Sequence, residues 1–187
     1  HKLAVIEDNA QAIGAHGDGF KIGELSDAAT TSFIIQKNLG TFGDGGALVT
    51  NNAEIDAKVR KLRNHGSTQR NVHSFGFNSR LDDIHAGVLS AKLKHIDAGN
   101  DLRRKWAARY TAGLKGCKHF SLPYEKPGYR HVFHLYILET HDASKRDGFL
   151  KFLNDNAVDA KTHYSIAIHK QAGYPWCKEA RIVGDVK

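Results

Sequence analysis

The chain has 187 residues, 41% hydrophobic and 25% charged, with a formal net charge of +7 and a pI of about 9.4. That size and balance suit a globular protein with one good core, or one domain plus part of another. They exclude a helical membrane protein, since no stretch is apolar for long enough to span a bilayer, and a disulfide scaffold, since Cys117 and Cys177 stand alone with no CxxC or Cys/His spacing.

The sparse cysteines and the absence of a leader-like start predict a reducing, cytoplasmic setting. Methionine is absent, and HKLAVIED opens directly into a strand-like run, so the chain reads as a fragment. The basic residues are spread along helical stretches, as in Lys58, Arg60, Lys61 and Arg63, and again in Arg103, Arg104 and Lys105. No RNP-like, zinc-finger or helix-turn-helix pattern accompanies them. A solvated basic face is therefore expected rather than a nucleic-acid partner, and it is compatible with an anionic small molecule.

In chain order, residues 3–7 (LAVIE) form a short apolar run bounded by Asp8, as in a buried parallel strand. Residues 14–19 read as a loop. Residues 29–35 (ATTSFII) are rich in β-branched side chains and predict a second buried strand; residues 45–50 (GGALVT) predict a third. The glycines between them suit a tight turn, which would make these two strands antiparallel neighbours. Asn52 has the character of an N-cap for a helix with Ile55, Val59 and Leu62 on one face, ended by Gly66. Residues 67–78 are polar and loop-like. A long helical pattern runs from Leu81 to about Leu114, with a break expected at Gly99. Composition shifts near 115–126, so a domain boundary is expected there, giving domains 1–115 and 116–187. Residues 131–138 (HVFHLYIL) predict a strand, 142–156 an amphipathic helix with Phe149 and Phe152 inward, and 158–164 a further strand.

Two charged residues stand where strands end. Lys37 follows an apolar run and precedes the glycine-rich GTFGDGG; Asp8 closes the first strand. In an α/β sheet such strand ends border the ligand crevice. Lys37 is either a solvated cation or an amine set to attack a carbonyl, which requires the neutral form. Asp8 and Lys37 together are either a structural salt bridge or the two ends of a cofactor site, with the carboxylate on a protonated ring nitrogen and the amine on an aldehyde. The twelve histidines show no coherent ligand pattern, so no metal site is expected. Trp106 reads as core, and Arg80 as a structural anchor.

Several ordered segments carry a resemblance. VIEDNAQAIG (5–14) and SFIIQKNLGTFGDGG (32–46) resemble two segments of the DegT/DnrJ/EryC1/StrS family of pyridoxal phosphate-dependent sugar aminotransferases. RNHG (63–66), GFNSRL (76–81), AGVLSAKLKHID (86–97) and THYSIAIHKQAGY (162–174) follow in the family's order. The likeness covers nearly the whole chain. It implies a type I pyridoxal phosphate transferase fold, a three-layer αβα large domain plus a small C-terminal α/β domain, present here in part: the N-terminal part of the large domain and the end of the small one would be missing.

The resemblance also implies roles. Lys37 would bond covalently to the cofactor aldehyde, Asp8 would pair with the pyridinium nitrogen, Gln11 would lie near the phenolic oxygen and Ser32 would bind the phosphate. Asn78 would reach the phosphate of the neighbouring subunit's cofactor, making the site a property of a homodimer. His163 would lie near the substrate. The implied reaction is ping-pong Schiff-base transfer of an amino group from L-glutamate to a nucleotide-linked keto sugar. Relatives with histidine at the lysine position run a dehydration, so Lys37 favours transamination. Ile34, Ile35 and Gln36 depart from the family's usual aromatic and proline-containing stretch, which leaves the sugar open. The competing reading is a non-catalytic regulatory or binding protein on the same fold.

Overall fold

The computed structural model describes residues 1–171; Cys177 and the last three residues of the segment ending at Tyr174 lie outside the described residues. The chain divides into two compact units, His1–Glu139 and a second starting at Thr140.

The first unit is built on a three-stranded sheet. Strand β1 (Ile6–Asp8) opens it, and a small ribbon of β2 (His16–Gly17) and β3 (Phe20–Lys21) occupies the stretch expected to be a loop. Strand β4 (Ala28–Ser32) is central and β5 (Gly46–Val49) lies on its far side. β1 runs parallel to β4, with Asp8 opposite Thr30, and β5 runs antiparallel to it, with Ser32 opposite Gly46. The antiparallel neighbour is as expected from the turn glycines. The central strand is the buried one: Ala28 and Ala29 are buried, whereas Ile6 on β1 and Val49 on β5 are exposed. The first and third strands are therefore edges of the described sheet and not buried runs, and β4 stops at Ser32, where the chain turns to carry Lys37.

Helix α1 (Ala53–Leu62) starts where Asn52 caps it, its Oδ1 accepting from the amides of Glu54 at 2.9 Å and Ile55 at 3.2 Å. The long helical stretch is two helices, α2 (Asp83–Leu93) and α3 (Ile96–Leu114). Their break falls at 94–95 and not at Gly99. Gly99 sits in the first turn of α3 with its amide on His95 O at 3.0 Å, and its backbone freedom is unused. The last turn of α2 is instead tied down by Lys92, whose ammonium donates to Gly40 O. Trp106, expected in the core, is 47% exposed and carries the Arg109 guanidinium over its ring.

After α3, β6 (Phe120–Ser121) pairs with β7 (Glu139–Thr140), the strand at which the first unit ends. The strand expected over 131–138 does not form. Side chains of α3 hold that stretch instead of a sheet: Arg104 donates to His131 O at 2.8 Å and Arg103 to His134 O at 3.3 Å. Arg104 also pairs with Glu125, and Arg130 with Asp101. These links fasten residues 125–134 to α3, within the compact unit that runs to Glu139.

The second unit contains a short 3₁₀ turn (Ala143–Lys145), begun by Asp142 accepting from Ser144 N, and helix α4 (Arg146–Asp155). Phe149 is half-buried, but Phe152 is 60% exposed and does not point inward as expected. Residues 158–164 form no strand. No helix among the described residues is long and apolar enough to cross a membrane.

Candidate active site

The parallel register of β1 and β4 puts their carboxyl ends on one edge of the sheet. Asp8 ends the first and Ser32 ends the second. Beyond Asp8 the chain makes a turn: Asp8 Oδ1 accepts from Ala10 N at 3.0 Å, Asn9 N donates to Thr30 O at 2.8 Å, and Ala12 N to Asn9 O at 3.1 Å. Gln11 lies in this turn with its side chain exposed. Beyond Ser32, whose Oγ accepts from Ile34 N at 3.4 Å, the chain turns again, with Lys37 N on Ile34 O at 2.9 Å. The turn returns through Phe33 N to Gly45 O at 2.7 Å and Thr41 N to Phe33 O at 2.8 Å. Gly40 is required here, because a Cβ would come within 2.6 Å of the carbonyl oxygens of Ile34 and Ile35. A carboxylate, a hydroxyl and an amine thus stand on two neighbouring turns at one sheet edge.

Among the described residues neither Asp8 nor Lys37 enters an ion pair, with each other or with any other charge. The salt-bridge alternative is therefore not how these two groups are used. Lys37 is half-buried, and among the described residues its ammonium donates no hydrogen bond. The set suits a ligand with a basic ring nitrogen, an aldehyde and a phosphate, which need a carboxylate, an amine and a hydroxyl.

The other two expected residues lie elsewhere. Asn78 belongs to the glycine-bearing loop after α1, bridged to Asn64, with its Oδ1 accepting from Arg80 at 3.1 Å. That loop bounds an open polar cleft of about 460 Å³, lined by Asn64, His65, Arg70, His73 and Arg80 among others. Its two passes are nearly in contact: a Cβ on Gly76 would come within 2.0 Å of Gly66 N. His163 belongs to the second unit, exposed, with its ring 5.0 Å from that of Tyr164. The sequence reading missed Asn38 and Asn100, a hydrogen-bonded pair behind Lys37. Nothing local hinted at it: Asn100 lies between Gly99 and Asp101 on a largely exposed, polar helix.

The sequence profile of the DegT/DnrJ/EryC1/StrS aminotransferase family matches residues 1–181. The chain belongs to this family. Among curated relatives, the "Pleiotropic regulatory protein" of Geobacillus stearothermophilus is 44% identical over 91% of this chain and 46% of its own length. The dTDP-3-amino-3,4,6-trideoxy-alpha-D-glucose transaminase of Streptomyces venezuelae is 42% identical over 93% of this chain and 45% of its own. Among solved structures, DesV of S. venezuelae, in complex with a ketimine intermediate, superposes with a TM-score of 0.87 at 41% identity, over 97% of this chain and 48% of that one. The chain spans about half the length of the curated relatives it matches. Over that half it has the fold of the family's pyridoxal phosphate aminotransferases, the type I fold that the motifs implied.

Proposed function

We propose that the protein is a pyridoxal phosphate-dependent aminotransferase that moves an amino group from an amino acid, L-glutamate, to a nucleotide-linked keto sugar. The observation that carries this reading is the convergence of Asp8, Ser32 and the ion-pair-free Lys37 at one sheet edge. Relatives named as nucleotide-sugar transaminases supply the substrate class, and the net positive charge suits a nucleotide diphosphate.

When bound, the cofactor supplies an electron sink for carbanion-like chemistry. Lys37 would hold it covalently through Nζ. Asp8 would keep a proton on its ring nitrogen, because a carboxylate beside a protonated ring favours the charged form. Ser32 would donate to its phosphate and Gln11 to its phenolic oxygen. Lys37 Nζ, once displaced by the amino donor, would take a proton from one carbon and return it to another, serving as base and then acid. Asn78 would complete the phosphate site of the neighbouring subunit in a homodimer, and His163 would border the sugar. The same reading takes the reaction as cytoplasmic.

A second reading, a non-catalytic regulator, is favoured by one observation, the name of the Geobacillus relative. Borohydride reduction of the full chain with pyridoxal phosphate separates the two. We expect a visible absorption band that borohydride bleaches as the cofactor becomes fixed, by peptide mapping, to Lys37, and no such band in Lys37→Ala. A folded protein with no band, or a band that Lys37→Ala leaves unchanged, would overturn the catalytic reading.

A further inference from the structure

The residue after Lys37 is held far more firmly than Lys37 itself. Asn38 Nδ2 donates to Asn100 Oδ1 at 2.8 Å and lies 3.3 Å from Val132 O, and its Oδ1 meets His134 Nδ1 at 3.1 Å. Asn100 is 1% exposed on α3. Its own Nδ2 donates to Ile13 O at 3.1 Å, in the turn that also carries Asp8 and Gln11. Val132, equally buried, closes the other side. Gly14 makes the approach possible: a Cβ there would stand 2.6 Å from Asn100 Nδ2, and its φ of +83° suits glycine.

One buried amide therefore touches both turns of the candidate site. Its oxygen takes the lysine-bearing turn and its nitrogen takes the Asp8–Gln11 turn. A neutral amide does both, whereas a carboxylate cannot donate and an alkyl group can do neither. Buried polar groups are costly unless fully bonded, so a fully bonded one fixes its neighbours in a single arrangement. Lys37 thus has a rigid base and a free tip.

We infer that Asn100 is a positioning residue, which fixes the distance between the Lys37 turn and the Asp8–Gln11 turn without touching either reacting group. The inference rests on the proposed role of Lys37 for its catalytic consequence, but the mechanical coupling stands apart from it. A misplacement on the scale of 1 Å costs a reaction of this kind up to about a hundredfold in rate.

The test uses the full chain carrying Asn100→Asp, which keeps the acceptor and loses the donor. Ala107→Gly, at a buried position of the same helix, serves as a control for plain destabilisation. Without cofactor, hydrogen exchange is followed at residues 34–41 and 12–15. We expect the two segments to speed up together, by about tenfold or more, beyond the change elsewhere. With cofactor, we expect kcat to fall about 10- to 100-fold with KM for the sugar little changed, while Ala107→Gly lowers Tm and leaves kcat within about twofold. Uniform exchange changes and an unaltered kcat would overturn the inference. If Asn100→Asp does not fold, Asn38→Ala cuts the same link from the other end and is read in the same way. Borohydride fixing in the wild type at a residue other than Lys37 would refute the proposed function and the catalytic part of this inference, while the exchange result would still decide the coupling.

Discussion

Asp8 and Lys37 share an edge but not a bond, and this decides how each should respond to substitution. Asp8→Asn keeps size and removes charge. We expect cofactor affinity, read by spectral titration, to fall about tenfold or more, since a lost ion pair to a ring nitrogen is of the order of 1–2 pKa units. Lys37→Arg keeps charge and removes the nucleophile, and turnover should fall by at least about a hundredfold, the low end of what a positioned acid–base group contributes. Both side chains were legible in the sequence, because each closes an apolar run and strand ends border the crevice. Ser32, inside the expected strand, was singled out only by the resemblance of its segment to the family's. Asn38 and Asn100 were not: their partners lie 62 positions apart, and no local pattern announces a contact of that range.

Elements are fixed by their ends and by what ties them down. Asn52 was read correctly as a cap, because a short polar side chain before an apolar helical face has one common use. Asn52→Ala should cost about 1 kcal/mol, read from denaturant unfolding. The 131–138 stretch was misread because its apolar residues fit a strand, whereas the backbone oxygens of His131 and His134 are taken by arginines from α3. That attachment predicts a pH effect. The Arg104 guanidinium holds the Glu125 carboxyl below its usual range, aided by the His131 amide at 2.8 Å. Stability from this pair is complete above the ordinary glutamate value of about 4.3 and is lost as pH falls through the lowered one. Glu125→Gln should therefore cost up to about 1 kcal/mol at neutral pH, the pair being partly exposed, with the difference from wild type shrinking to nothing in acid. Circular dichroism melts across the acid range check the sign.

At the scale of the whole molecule, the fold class was legible in the ordered family segments, while the shift of composition at 115–126 and the end of the first compact unit at Glu139 fall at different places. The proposed homodimer makes a further prediction. Lys37→Ala and Asn78→Ala chains, each inactive alone, should recover about a quarter of wild-type activity when unfolded and refolded together, since half of the dimers would carry one intact site of two. No recovery would mean that Asn78 serves its own chain. The amide that joins the two turns has a consequence in time. Asn38 reaches forward to Asn100, and its remaining partners, Val132 and His134, lie 94 and 96 positions along the chain. Such closures come late, after local helices and hairpins have formed. As the polypeptide is made, its lysine turn is thus an early segment that stays unset until much later residues arrive, and the amine gains a fixed place only when those residues have docked behind it.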